Sequence, residues 1–140
     1  MRTLSCIAAF LTSVACSTTI PLTPVDGPLA KKRPRPTIAA TVHGIDSNQG
    51  EIELTLPPEN VCKGRWISYA GGPRVNGLIL TQGQIAGVSI APGPAYNRGE
   101  AFLTCATGGT LELEFVTRAG TAHGSGVAAD SYGNIYRTIF

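Results

Sequence analysis

Three groups of residues in this 140-residue chain have the types needed for chemistry. The first is His123-Gly124-Ser125-Gly126, with Asp130 close behind. Serine, histidine and aspartate are the parts of a nucleophilic triad, in which imidazole takes the hydroxyl proton and a carboxylate orients the ring. The spacing does not make the serine elbow G-x-S-x-G, since Val127 stands where its second glycine belongs, and that elbow also needs the strand–turn–helix of a larger α/β sheet. The small residues Gly124, Ser125, Gly126, Ala128 and Ala129 predict a tight bend or close strand packing instead. The second group is two carboxylate pairs, Glu51/Glu53 and Glu112/Glu114. Paired carboxylates can do acid–base work on glycosidic bonds. Here they alternate with Ile52, Leu54, Leu111 and Leu113, which predicts the solvated side of two strands. Directly opposed glutamates repel, so these two strands are not expected in that register. The third group is Cys62 and Cys105. A zinc site needs about four ligands, and only His43 and His123 could join them. His43 falls on the polar side of a strand end, and there is no C-x-x-C spacing. No catalytic residue, metal ligand or cofactor site is assigned, and Cys62–Cys105 is expected to be a disulfide.

That expectation depends on compartment, and the start of the chain supplies one. Met1-Arg2-Thr3 is basic, Leu4 to Ala15 is apolar and small, and Ser13-Val14-Ala15-Cys16 closes the run. This is the layout of a secretory signal peptide, too short for a stable transmembrane helix. Ala15-Cys16 resembles the end of a bacterial lipobox, with Ser13 where leucine is usual. Ser13 and Ala15 equally suit ordinary signal peptidase, so plain secretion into the periplasm remains open. The lipobox resemblance implies a diacylglyceryl group on the Cys16 thiol and a palmitate-type chain on its amine, enough acyl chains for firm anchoring. Ser17 in place of an inner-membrane retention aspartate implies the outer membrane, periplasmic side. Export favours the disulfide, because two cysteines in a small secreted domain are usually paired. By the chain-entropy model, closing the 62–105 loop is worth about 4 kcal/mol.

Charge then separates two further regions. The chain carries 11 Lys and Arg against 9 Asp and Glu. Lys31, Lys32, Arg33 and Arg35 stand together in residues 17–36, which also hold five prolines (Pro21, Pro24, Pro28, Pro34 and Pro36). Proline lacks a donor and fixes φ, so residues 16–36 are expected to form an extended tether whose cations could touch anionic headgroups or wall polymer. From Thr37 on, six bases (Lys63, Arg65, Arg74, Arg98, Arg118, Arg137) face eight acids (Asp46, Glu51, Glu53, Glu59, Glu100, Glu112, Glu114, Asp130), a net charge of −2. A nucleic-acid binder would carry its bases on the domain, so nucleic acid is excluded as a partner.

Residues 37–140 read as one all-β domain. Ile38, Ala40 and Val42 share a side, as do Ile52, Leu54 and Leu56, with a hairpin loop at Asp46–Gly50 between the two runs. Pro57-Pro58 stops the second strand, and residues 59–75 look irregular apart from a short strand at Arg65–Tyr69. Further strands are expected at Leu78–Thr81, Gln84–Ala91, Glu100–Cys105 and Thr110–Phe115, and a hairpin at Val127–Phe140 turning at Ser131-Tyr132-Gly133. After the signal no stretch of ten residues carries a helical stripe. Seven to nine short strands predict a small antiparallel sandwich or barrel with one disulfide.

Trp66 and Tyr69 near Cys62, with Ser125 and Tyr132 towards the end, are the candidate binding surface; Trp66 could instead be core covering the disulfide. Cys105-x-x-Gly108-Gly109-Thr110-Leu111 followed by Gly124-x-Gly126-x-Ala128-x-Asp130-x-x-Gly133-x-x-Tyr136 resembles a group of small exported proteobacterial lipoproteins of unassigned function. Leu103-Thr104-Cys105 through Leu111-x-Leu113-x-Phe115 is similar to the Cys-Gly-x-Leu-x-Val-x-Phe start of membrane-bound lysozyme inhibitors. That second resemblance implies a small disulfide-linked β-barrel on a lipid anchor, with a Ser-Gly-x-x-Tyr loop blocking the lysozyme cleft; here Ser125-Gly126-Val127-Ala128-Ala129 has no Tyr. The expectation is a non-catalytic cell-envelope lipoprotein, a structural or binding module joined to the membrane by its lipid, with an envelope protein or peptidoglycan as partner. The alternatives are an inhibitor-like or other ligand-binding lipoprotein, and a small hydrolase around His123, Ser125 and Asp130.

Overall fold

The computed structural model describes residues 16–70 and 96–140. Their eight strands are β1 (Ser17–Asp26), β2 (Ile38–His43), β3 (Gln49–Leu56), β4 (Asn60–Ala70), β5 (Tyr96–Cys105), β6 (Thr110–Arg118), β7 (Gly124–Asp130) and β8 (Ile135–Ile139). Each pairs antiparallel with its neighbour in sequence, and β8 returns to β1 through Thr23↔Arg137 and Pro24↔Tyr136, closing a barrel. Among the described strands each has a partner on both sides, so none is a free edge along its whole length. The all-β expectation holds, and of sandwich and barrel the chain adopts the barrel. The apolar segment before Cys16 and the strands expected at Leu78–Thr81 and Gln84–Ala91 lie outside the described residues.

Period-two alternation builds most of the wall. Ile52, Leu54 and Leu56 on β3, Leu111 and Leu113 on β6, and Ala101 and Leu103 on β5 are buried. Their neighbours Glu51, Thr55, Glu112 and Phe102 are exposed. Full burial of a Leu or Ile side chain contributes about 1.5–3 kcal/mol, so this interior stripe fixes register as well as stability.

Two expectations are corrected. Residues 17–26 are not a tether but the first strand. Ile20, Leu22 and Pro24 are buried at alternate positions and complete the barrel interior. The prolines fit because β1 changes partner halfway, pairing β2 through residues 17–22 and β8 from Thr23 onward. Pro21 and Pro24 therefore stand where a ladder runs on one side only, the setting in which a missing donor is tolerated. The basic run follows a 3-10 turn, Leu29–Lys31, in the connection between β1 and β2. The second correction concerns residues 60–70, a continuous eleven-residue strand registered with β3 from Asn60 to Ile67 and with β5 from Cys62 to Ala70. Its alternation is disguised, because Gly64 and Ser68 face inward while Val61, Ile67 and Tyr69 face outward.

The barrel has two unlike ends. At one end the 57–59, 106–109 and 131–134 turns close over the interior, with Leu29 tucked beneath. The Asp130 carboxylate accepts the Tyr132 and Asn134 backbone N–H groups (2.9 Å each), the Asn134 side-chain amide (2.9 Å) and the Tyr136 hydroxyl (2.5 Å). Asn134 Oδ1 then accepts the Leu29 N–H at 2.8 Å. Asn60 holds the neighbouring turn, its Oδ1 accepting the Thr107 N–H (2.9 Å) and its amide donating to the Gly108 carbonyl (3.2 Å). Cys62 and Cys105, directly opposite on β4 and β5 and both facing inward, form the expected disulfide near this end. At the other end the described residues leave the interior open.

Candidate functional site

At this end β1 from Thr18, the 45–48 and 120–122 loops, the ends of β4 and β5 and Phe140 surround a cavity of about 420 Å³. An eight-stranded barrel is at the size where side chains either fill the interior or leave room for one small ligand. Below, Leu22, Leu54, Leu103 and Leu111 fill this one. Above them Ile20, Ile52 and Leu113 form the cavity floor, and Val42, Trp66, Phe115 and Phe140 its apolar wall. The rings meet edge to face, Trp66 to Phe115 at 6.2 Å and Phe115 to Phe140 at 6.4 Å between centroids. Trp66 Nε1 donates to the His43 carbonyl at 2.8 Å, so its polar atom is satisfied and its ring face is left for packing.

The rings fit because two neighbouring positions carry no side chain. A Cβ on Gly99 would lie 2.1 Å from the Phe115 ring. A Cβ on Gly50 would lie 1.9 Å from the His43 carbonyl oxygen and 2.7 Å from Trp66 Nε1. The rim is polar, built from Thr18, Asp46, Ser47, Asn48, Asn97 and Thr117 among others. Among the described residues of the lining Asp46 is the one charged side chain, and none is Lys or Arg.

The expected site residues are dispersed over this frame. Trp66 is buried in the cavity wall. It stands four positions beyond Cys62 along β4, about 13 Å of strand, so it does not cover the disulfide. Tyr69 is exposed on the outer surface near the mouth. Ser125 is half-buried on β7 opposite Val116 and Ile139. Tyr132 is at the far end, its hydroxyl donating to the Gly108 carbonyl and accepting from the Asn60 amide (3.0 Å). The four do not form one patch. His123 lies in the exposed loop at the mouth, whereas Asp130 is buried at the closed end, about 17 Å of strand from Ser125. The three parts of the triad are not brought together. The two glutamate pairs sit on β3 and β6, which are not neighbours, and Glu53 pairs with Lys63 (3.6 Å) and Glu114 with Arg98 (4.0 Å). Cys16 is an exposed free thiol whose carbonyl accepts the Gly44 N–H at 3.1 Å.

Two features were missed by sequence reasoning. Phe115 reads correctly as inward, but nothing in alternation says that it borders open space rather than core. The Asp130–Asn134–Tyr136 network has a faint signal in Asp-Ser-Tyr-Gly-Asn, an aspartate at a turn entrance with donors two and four residues on. Burial pushes the Tyr136 phenol well above its ordinary range, and the hydrogen bond to Asp130 pushes it the same way. Comparison with known proteins finds no matching family, curated protein or solved structure.

Proposed function

We propose that this protein is a non-catalytic, lipid-anchored binding module of the cell envelope, facing the periplasm, which takes an apolar or amphipathic ligand in the mouth of its barrel. The cavity of about 420 Å³ carries this reading. Its volume is that of a small-molecule site, and an apolar, aromatic wall stands below a polar rim, an arrangement that can take an amphipathic ligand. The anchoring part is supported by the position of Cys16. It is exposed and immediately precedes β1. The disulfide is consistent with an exported protein. An inhibitor-like role draws less support, because Ser125–Ala129 lies within β7 rather than in a protruding loop.

Trp66 is the single tryptophan, which makes the test direct. The full chain carrying Cys16→Ser is titrated with N-phenyl-1-naphthylamine, and energy transfer from Trp66 to the probe is followed. Saturable transfer that is lost in Thr18→Phe, which fills the rim, is the expected result. Absence of saturable transfer in the parent chain would remove the binding reading.

A further inference from the structure

Resting on the mouth as a binding site, we infer that its ligand is a single-chain amphiphile with an uncharged head, drawn from the membrane surface on which Cys16 holds this end of the barrel. Strand parity orients the anchor. Thr18 and Ile20 line the cavity, and Cys16 is the next residue of the same parity, with its carbonyl fixed to the Gly44 N–H at the rim. A lipid on Cys16 Sγ therefore starts beside the mouth. Because β1 begins at Ser17, no spacer lifts the barrel away from the bilayer. Ile45, Tyr69 and Tyr96 are exposed around this same end, and tyrosine and apolar side chains suit the membrane interface.

The head group follows from the rim. A carboxylate or phosphate entering the mouth would meet Asp46 and amide or hydroxyl groups, with no cation among the described lining residues to offset its desolvation. The concentrated positive charge of the chain, Lys31, Lys32, Arg33 and Arg35, sits beyond the other end of β1, about 33 Å of strand away. Serine, threonine and asparagine can hydrogen-bond a diol or similar neutral head, while the floor of Ile20, Ile52 and Leu113 takes an acyl chain.

The test uses bromine, which quenches tryptophan only on contact. The full chain carrying Cys16→Ser is titrated at neutral pH with a medium-chain brominated 1-monoacylglycerol below its aggregation concentration, and in parallel with the matching brominated fatty acid. The monoacylglycerol should quench Trp66 saturably, and the fatty acid should bind about tenfold more weakly. Asp46→Lys should raise fatty-acid affinity about fivefold, the scale of an exposed charge interaction. Equal or tighter binding of the fatty acid overturns the uncharged head. No quenching by either amphiphile, in a chain that still takes N-phenyl-1-naphthylamine, overturns the acyl ligand and leaves the binding function standing. If neither amphiphile nor naphthylamine binds, both readings fall. Lipidated wild-type chain in nanodiscs should take the same monoacylglycerol. If it refuses what Cys16→Ser accepts, the lipid on Cys16 is itself the occupant, and the bilayer source is overturned.

Discussion

The two ends of the barrel are made from the same eight strands and solve opposite problems. At the closed end every polar group of the Asp130 network has a partner, Tyr136 is fully buried, and a disulfide crosses between β4 and β5. At the mouth Phe115 and Phe140 are only partly buried, Trp66 is tied by one hydrogen bond, and two glycines leave space beside the rings. A barrel this small cannot be packed to native density at both ends and still hold a ligand. The hydrogen-bonded network and the disulfide lie away from the proposed ligand site, so damage at the two ends should be separable.

Asp130→Ala should be the most destabilising substitution. It leaves the Tyr136 hydroxyl, the Asn134 amide and two backbone N–H groups without their acceptor. Unmet buried donors cost about 1–3 kcal/mol each, and water entering at the barrel end recovers part of that, so a loss of about 5 kcal/mol is expected. Thermal melting by circular dichroism should fall by tens of degrees, while any protein still folded keeps its mouth. A fall of only a few degrees would mean that the network is ornamental.

Cys62→Ser comes next. The chain-entropy model gives about 4 kcal/mol, or about 15–30 °C in melting temperature for a domain of this size. Because β4 and β5 are paired from Cys62↔Cys105 to Ala70↔Asn97, the disulfide staples two strands that already meet. The variant should therefore lose heat stability but keep ligand affinity at the mouth. Loss of both would show that the two ends are mechanically coupled.

How legible this was in the sequence depends on whether a feature obeys period two. β2, β3 and β6 carry apolar residues on one parity, and their inward positions follow from that alone. β1 was hidden because its prolines signal extension without pairing, and only barrel closure explains how Pro21 and Pro24 are accommodated. β4 was hidden because Val61, Ile67 and Tyr69 are outside while Gly64 and Ser68 are inside. The mouth could not be read at all. A cavity is a volume left between eight strands, and no local pattern distinguishes Phe115 against empty space from Phe115 against another side chain. The disulfide was legible because compartment and count sufficed.

Gly99→Ala probes the mouth at smaller cost. The new Cβ would lie 2.1 Å from the Phe115 ring, so the ring must move toward the cavity. Overpacking of this kind costs about 1–3 kcal/mol, the lower part of the range if the open mouth lets Phe115 yield. Naphthylamine affinity should fall more than stability does, the reverse of Asp130→Ala. Unchanged affinity would put the ligand elsewhere.

Alkaline pH isolates one group at the closed end. The Tyr136 phenol is raised in the folded state, so unfolded chains lose this proton first. Its contribution is fully present below the ordinary tyrosine value of about 10 and is lost as pH rises above it, by about 1.4 kcal/mol per pH unit. Tyr136→Phe should remove that part of the slope. Parallel stability curves for wild type and variant above pH 10 would contradict the buried phenol.

Cys16→Ala should have the smallest effect on the fold and a decisive one on location. The side chain is exposed, and the bond to Gly44 uses the backbone carbonyl, which alanine keeps. The stability change should stay within about 0.5 kcal/mol, as for surface substitutions away from special features. Acyl labelling should disappear, and the product should move from the membrane fraction to the soluble periplasm or remain as an uncleaved precursor. Ligand affinity measured in solution should be unchanged, since the mouth is built by β1 from Thr18 inward and not by the thiol. Capture of the ligand from vesicles should nevertheless drop, because a released barrel no longer presents its mouth to the bilayer. Equal capture by anchored and released protein would separate binding from anchoring and reduce Cys16 to a tether point. Membrane association that survives Cys16→Ala would go further and place the attachment on some other part of the chain.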